Sequence, residues 1–184
     1  MKKAKYILVL IVLATISTLQ AQNKYIDKKG TITFEASEEL FEPVKATNES
    51  VTAILNDGTN EIASLALIKG FRFKNSLMEE HFNENYIESE TYPKATFRGK
   101  LLDIDLTTLT ETETTVKVDG KIALHGKEKQ INTTLKISKS GDVITITGEF
   151  LVSPVDFDIE IPSVVRNKIA KDVKVSLDFK LVKK

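Results

Sequence analysis

The chain has 184 residues, of which 26 are basic and 26 acidic, with two histidines and no cysteine. Without cysteine it can form no disulfide and no thiolate metal site, and it has no cysteine nucleophile. Beyond the first few residues no basic block favours nucleic acid or an anionic membrane surface. We therefore expect stability to come from burial and hydrogen bonding, and we expect no nucleic-acid partner.

Residues 1–21 have the pattern of a secretory signal peptide. Three lysines precede an apolar run from Tyr6 to Ile16, and Ala21 is the small residue at a cleavage site. The run is too short for a hydrocarbon core of ~30 Å, which needs about 20 apolar residues; an uncleaved anchor is the alternative. We expect cleavage after Ala21, a periplasmic or secreted protein, and a mature domain of residues 22–184. That domain would carry a net charge of about −3 and no stable membrane span.

Apolar and polar residues alternate along most of the mature chain. This pattern is typical of strands with one buried face. It is clearest in four runs: Val116–Leu124, Ile131–Ile137, Ile144–Phe150 and Val173–Leu181. Another run starts at Ala95, but its parity changes after Leu101, which predicts a β-bulge there.

Turn sequences separate the strands. They are Asn56-Asp57-Gly58, His125-Gly126-Lys127 and Ser140-Gly141-Asp142. Short strands joined by tight turns predict an all-β, antiparallel meander that closes as a barrel or packs as a sandwich.

Two segments favour helices that would cover this β structure. Ser76 to Glu88 has apolar residues near one face, with Ser76 as the N-cap and Glu79 completing a capping box. Pro162 to Ile169 predicts a shorter helix, because proline suits a first turn. The predicted architecture is therefore β with one or two covering helices.

The sequence offers few groups for catalysis. His81 and His125 are its histidines, and it has neither a Gly-x-Ser-x-Gly nor a His-Glu-x-x-His motif. His81 and Glu84 would lie one helical turn apart, but such a pair on a charged helix is more typical of a solvated face than of a metal site. His125 precedes Gly126 in a turn and is expected to be structural. An enzyme that uses His81 with neighbouring carboxylates stays an alternative.

Three carboxylates alternate along the segment Val155–Ile161, which reads as a strand: Asp156, Asp158 and Glu160. They would project to one side. Calcium needs six to eight oxygen ligands, so a solvated edge is favoured over a calcium site, and we expect no metal.

Aromatic and large apolar residues concentrate between Phe71 and Phe97. They predict either a helix that plugs the barrel with ordinary core, or the wall and entrance of a ligand cavity. An eight-stranded barrel can be filled by side chains or can hold one small ligand. Glycines expected to face inward would leave space or mark strand bends: Gly99, Gly120 and Gly148.

The stretch Met78–Phe97, in which a helix with His81 leads into Tyr92-Pro93-Lys94-Ala95-Thr96-Phe97, resembles the central motif of the YceI-like domain family. The strand and turn from Asp119 to Lys129 are similar to a second family motif, and the final strand from Val173 alternates as in the family. The resemblance covers roughly residues 24–182.

The resemblance implies a lipocalin-like antiparallel barrel of about eight strands, whose interior holds a polyisoprenoid chain such as a quinone tail. It implies binding, storage or transport of that lipid, or of another long apolar lipid, in the cell envelope, without catalysis. The lipid would be a ligand, and no cofactor is expected. A filled-barrel interaction module without ligand is the alternative, and a homodimer is compatible with the sequence.

The sequence departs from the family pattern at two places. Met78 stands where the family helix often has arginine, so no anionic headgroup contact is expected there. The first hairpin is shortened at Phe41-Glu42-Pro43-Val44, which would shrink or close the tunnel. Strand parity and family position give thirteen candidate ligand-binding residues: Phe34, Leu65, Phe71, Phe73, Met78, Phe82, Tyr86, Phe97, Val118, Ile122, Leu135, Ile137 and Phe150.

Overall fold

The computed structural model describes residues 23–38 and 41–184. The predicted signal peptide, residues 1–21, lies outside the described residues. The described chain forms nine strands: β1 (Lys24–Ser37), β2 (Lys45–Asn56), β3 (Glu61–Leu67), β4 (Arg72–Phe73), β5 (Lys94–Leu102), β6 (Thr114–Leu124), β7 (Lys127–Ser140), β8 (Val143–Val152) and β9 (Ile169–Lys183).

The strands form a closed antiparallel barrel. They follow the order β1-β9-β8-β7-β6-β5-β3-β2, and β2 pairs again with β1, so eight strands close the ring. The two-residue β4 pairs with the start of β2, where Phe73 lies opposite Ala46. The predicted all-β, lipocalin-like barrel is confirmed.

The barrel has two different ends. We call one end the mouth; the described parts of four connections cross it: residues 41–44, 68–93, 125–126 and 153–168. At the opposite, lower end the interior is filled by apolar side chains with 0 % exposure, among them Leu55, Ile137, Ile144 and Leu181. The hydrophobic core therefore sits in the lower half.

The predicted hairpin turns are present, and the β6–β7 turn shows why its residues are needed. His125 and Gly126 have φ values of 50° and 72°. Two successive positive φ angles match the tight turn whose twist suits a β-hairpin, and glycine adopts this conformation without steric penalty.

The predicted bulge near Leu101 is wrong. The β5–β6 ladder runs without a register shift to Leu102 opposite Lys117. The parity changes because the strand ends there and Asp103 turns the chain with φ 54°. Register shifts occur instead in β1, on either side of Gly30.

The first predicted helix is present but shorter and differently capped. Helix α1 (Ser76–His81) is followed by a π-helical turn, Phe82–Tyr86. Its N-cap is Asn75, whose Oδ1 accepts hydrogen bonds from the backbone N–H groups of Leu77 and Met78, at 3.0 and 3.4 Å. The predicted capping box is wrong, because Glu79 instead accepts from the Phe73 N–H at 3.1 Å.

Two other predicted elements are wrong. Pro162 to Ile169 forms a turn and a 3₁₀ turn at Arg166–Lys168, not an α-helix. Val155 to Ile161 is not a strand, since a 3₁₀ turn at Pro154–Phe157 ends at Asp158 with φ 54°. The irregular path buries Phe157 and Ile159, which are 1 % and 7 % exposed.

Candidate ligand-binding cavity

The upper half of the barrel contains a cavity of about 500 Å³ that opens at the mouth. Small-molecule sites commonly have volumes of about 300–1,000 Å³ and apolar walls. This wall is built from inward-facing side chains of the strands, for example Ile32, Ile62, Ile122, Phe150 and Leu177. Because the walls are apolar, the cavity suits an apolar ligand.

Three large side chains form the floor of the cavity, and each lies against a glycine. The ring of Phe97 lies 2.6–2.7 Å from the positions that Cβ atoms would take at Gly99 and Gly120. The corresponding distance is 2.3 Å between Leu135 Cδ2 and Gly148, and 2.6 Å between Phe179 Cδ1 and Gly30. We call Phe97, Leu135 and Phe179 the floor.

Of the two roles considered for the inward glycines, leaving space inside the barrel or marking strand bends, the first is therefore wrong. At each of these positions a neighbouring large side chain occupies the volume that a side chain would otherwise fill. The missing Cβ atoms let the floor residues cross the barrel, and so they limit the cavity instead of enlarging it.

Four phenylalanine rings form one wall near the mouth. Phe82, on the π-helical turn, lies 5.1 Å from Phe34, 5.2 Å from Phe73 and 6.0 Å from Phe71, measured between ring centroids. Aromatic pairs at these distances contribute about 0.5–1.5 kcal/mol beyond the burial of their area. The cluster therefore holds α1 and its π-helical turn against the mouth.

The mouth segment, residues 153–161, forms another part of the rim. Its Phe157 and Ile159 are buried in a second apolar cluster with Ile68 and Ile87. The Phe157 carbonyl oxygen can only accept, so the His125 Nδ1–H donates to it, at 2.8 Å. This bond joins the β6–β7 turn to the mouth segment, which is the structural role predicted for His125.

Ion pairs on the outer side hold the same segment. Lys129 Nζ lies 2.7 Å from Asp156, and Lys127 Nζ lies 2.6 Å from Asp158. The hydrogen bond and positive charge of Lys127 lower the pKa of Asp158 below its ordinary value of 3.8. Two of the three carboxylates that were predicted to lie in one row, Asp156 and Asp158, thus pair with different lysines. Across residues 23–38 and 41–184, no three His, Asp or Glu side chains are placed to hold a metal ion.

Charged and histidine side chains reach the lining of the cavity at its mouth. They are Glu42, His81 and Lys168, and all three are exposed. Lys168 Nζ stands 6.0 Å from the centroid of the Phe41 ring. The site therefore combines an apolar interior with a polar entrance.

Eleven of the thirteen candidate residues line the cavity: Phe34, Phe71, Phe73, Met78, Phe82, Tyr86, Phe97, Val118, Ile122, Leu135 and Phe150. That they contact a ligand stays a prediction. Leu65 was assigned to the wrong face, since its neighbours Ser64 and Ala66 line the cavity instead. Ile137 was placed too high, because it lies below the floor in the filled core.

Sequence reasoning missed other parts of the wall. The alternation in β9 could have placed Val173, Val175, Leu177 and Phe179 on the inner face with their neighbours in β8. The contribution of the mouth segment had no usable signal, because Phe157 and Ile159 are two positions apart and this spacing is the same as in a strand.

An eight-stranded antiparallel barrel with an apolar cavity at one end defines a lipocalin-like protein. The chain belongs to the YceI-like domain family, whose model matches residues 17–181. Among the described residues, no helix is long and apolar enough to cross a membrane.

Solved structures share the fold. A polyisoprenoid-binding domain from Saccharophagus degradans, implicated in plant cell wall breakdown, is 17% identical with a TM-score of 0.76, covering 89% of this chain and 99% of that one. BcnA of Burkholderia cenocepacia is 15% identical with a TM-score of 0.68, covering 85% and 98%. The YceI protein of Campylobacter jejuni is 14% identical with a TM-score of 0.59, covering 78% and 86%. No curated protein sequence matches the chain significantly.

Proposed function

We propose that this protein binds a polyisoprenoid or a similar long apolar lipid in its barrel, and stores or carries that lipid in the cell envelope. The observation that carries the proposal is the apolar cavity of about 500 Å³ open at the mouth. The polyisoprenoid-binding domain of similar fold supports this ligand class. Export by the predicted signal peptide would place the protein in the periplasm or outside the cell.

The lining itself favours an apolar ligand. Inward side chains of the upper half, such as Phe97, Ile122 and Phe150, keep part of their surface accessible, whereas those of the lower half are fully buried. Burial of apolar surface contributes about 25 cal/mol for each Å². A long hydrocarbon chain would gain this free energy along the whole cavity, and few polar contacts would be needed.

The two alternatives receive less support. A filled-barrel interaction module predicts no internal cavity, whereas this barrel has one. An enzyme based on His81 requires a partner that orients its ring. Within the part of the chain that the structure describes, the His81 side chain makes no hydrogen bond or ion pair, although it lies at the mouth. These observations favour binding over catalysis.

Native mass spectrometry of the mature protein, purified without detergent from its own host, tests the proposal. We expect an added mass of several hundred daltons that solvent extraction releases as a prenyl lipid. A clean apo mass without uptake of added isoprenoid quinone would contradict the proposal. The same spectrum reports whether the protein is a monomer or a homodimer, both of which are compatible with the sequence.

A matched pair of variants connects the bound mass to the cavity. Thr133 lines the cavity from β7, and the next residue, Thr134, faces solvent. Thr133→Phe should lower the bound fraction about tenfold by filling the cavity, whereas Thr134→Phe should leave it unchanged. Equal lipid loads in both variants would place the lipid outside the barrel.

A further inference from the structure

We infer that the floor limits the hydrocarbon chain that this barrel can hold to about four isoprene units, and that Phe97 is the residue that sets this limit. The inference rests on the proposed function and concerns the size of the ligand. It follows from the positions of the floor residues, the packing beneath them and the dimensions of the cavity above.

The floor extends across the barrel from three sides. Phe97 lies over Gly99 and Gly120 at β5 and β6, Leu135 over Gly148 at β7 and β8, and Phe179 over Gly30 at β9 and β1. Six of the eight barrel strands thus contribute a large side chain or the glycine beneath it. A chain that enters from the mouth therefore meets large side chains from three sides of the barrel.

Nothing below the floor offers an alternative path among the described residues. Leu101, Ile137, Ile146 and Leu181 lie there with exposures of 0–1 % and do not line the cavity. Protein interiors packed in this way have few voids larger than a water molecule. The lower half is therefore closed to a ligand.

Two estimates, one from volume and one from depth, bracket a capacity of about four isoprene units. A CH₂ group occupies about the volume of one liquid water, ~30 Å³, so a cavity of about 500 Å³ holds between three and four five-carbon units. Phe179 at the floor follows Ile169 at the mouth by ten positions. At ~3.3 Å per residue and a strand tilt of ~40°, the depth is about 25 Å. An isoprene unit advances four C–C bonds, or about 5 Å, so about five units fit this depth.

Affinity should therefore stop rising at a definite chain length. Each isoprene unit that enters the cavity buries about five carbons and should raise affinity roughly tenfold or more. A unit beyond the fourth stays at the mouth beside Glu42, His81 and Lys168, where it remains in contact with water. Longer chains would still bind, but without further gain.

We expect Phe97 to set the limit because two glycines, Gly99 and Gly120, lie beneath its ring. Removing the ring exposes the paired backbones of Gly99 and Gly120, which have no side chains to fill the space. The phenyl ring that Phe97→Ala removes has six carbons, slightly more than one isoprene unit. Phe97→Ala should therefore lengthen the cavity by about one unit.

The experiment measures the affinity of delipidated mature protein for prenyl alcohols of three, four, five and six isoprene units. For the wild type we expect affinity to rise to about four units and then level off, and for Phe97→Ala to level off one unit later. Phe150→Ala removes the same group from the wall above the floor and should leave the limit unchanged. Leu135→Ala opens the floor from the opposite side and provides a second variant if Phe97→Ala does not fold.

The possible outcomes separate the two proposals. If the wild type binds none of the alcohols, the proposed function fails. If the wild type binds them but its affinity keeps rising to six units, or if the limit is the same in both floor variants as in the wild type, the floor does not set the length. An equal shift in Phe150→Ala would assign the limit to total volume and contradict the role of Phe97.

Discussion

The Cζ atom of Phe97 lies 2.7 Å from the position that a Cβ atom would take at Gly120. The carbonyl oxygen of Arg98 lies 2.6 Å from the same position. A side chain at residue 120 would thus meet both an aromatic ring and the backbone of the neighbouring strand. Glycine is required here because the floor of the cavity and the β5–β6 ladder approach each other closely.

Gly120→Ala should lower the free energy of unfolding by about 2–3 kcal/mol. Overpacking costs roughly this much when only a shift of the backbone can relieve it. Gly148→Ala is the matched comparison. Its new methyl group would meet only the end of the Leu135 side chain closer than 3.5 Å, and that side chain can rotate. We expect the smaller loss there, measured by urea denaturation. A larger loss at Gly148 than at Gly120 would show that contact with a side chain, not with the backbone, determines the cost.

The strand framework could be predicted because one face of each strand meets the barrel interior and the other meets solvent. In β9 this gives unbroken alternation from Val173 to Leu181. The pattern fails where the chain crosses the mouth. Phe157 and Ile159 are buried from an irregular segment, with Asp158 in the left-handed conformation between them, and their spacing imitates a strand.

The cavity was harder to predict than the fold because, in one strand, small residues face the interior and the larger apolar residue faces outward. In β3 the inward residues Ser64 and Ala66 are small, and the larger Leu65 faces outward. Choosing the larger residue therefore selects the wrong face. Alternation also predicts that Ile137 faces the barrel interior, but it does not predict how far Ile137 lies from the mouth. The height of the floor depends on Gly148 lying beside Leu135, a contact between different strands.

Asn48 is a buried polar residue whose loss should be costly. It is 1 % exposed; its Nδ2 donates to the Leu67 carbonyl at 2.9 Å, and its Oδ1 accepts from the Ser50 N–H at 2.9 Å. Asn48→Ala would leave both backbone groups without partners, at a cost of about 1–3 kcal/mol each.

We therefore expect Asn48→Ala to lower the free energy of unfolding by roughly 2–4 kcal/mol in urea denaturation. Asn132→Ala is the control, since Asn132 is exposed on β7, and it should change stability by no more than ~0.5 kcal/mol. Similar losses in the two variants would mean that water replaces the Asn48 hydrogen bonds.

Lys127 should control the titration of Asp158. Its hydrogen bond, followed by its charge, lowers the pKa of Asp158 below 3.8. The stabilisation that this pair provides is present above the unfolded-state pKa of the aspartate and is lost as pH falls through the folded-state value. Both side chains are largely exposed, so the effect on stability should be small and should decrease with salt.

Lys127→Met should raise the pKa of Asp158 toward its ordinary value, as measured by NMR titration of the carboxyl carbon. Lys129→Met removes the neighbouring lysine, which pairs with Asp156 instead, and should leave the Asp158 pKa nearly unchanged. If both variants shift Asp158 equally, general surface charge rather than the direct contact sets its pKa.

Phe82 should control how quickly a lipid leaves the cavity. Its ring packs against three other phenylalanine rings at the mouth. Phe82 is also the first residue of the π-helical turn that follows α1. Phe82→Ala removes these contacts and should lower stability, but by less than the roughly 3–5 kcal/mol of a fully buried phenylalanine, because Phe82 is only partly buried. Because the helix would then open more often, transfer of bound lipid to acceptor vesicles should become at least about tenfold faster, and amide exchange in residues 76–86 should increase.

Leu77→Ala tests whether this effect belongs to the aromatic cluster. Leu77 lies on the same helix but is 56 % exposed, so its loss should change neither lipid transfer nor amide exchange beyond about twofold. Faster exchange of the helix in Phe82→Ala without faster lipid release would mean that the lipid leaves by another part of the mouth. The mouth segment with Phe157 and Ile159 would then be the part that opens.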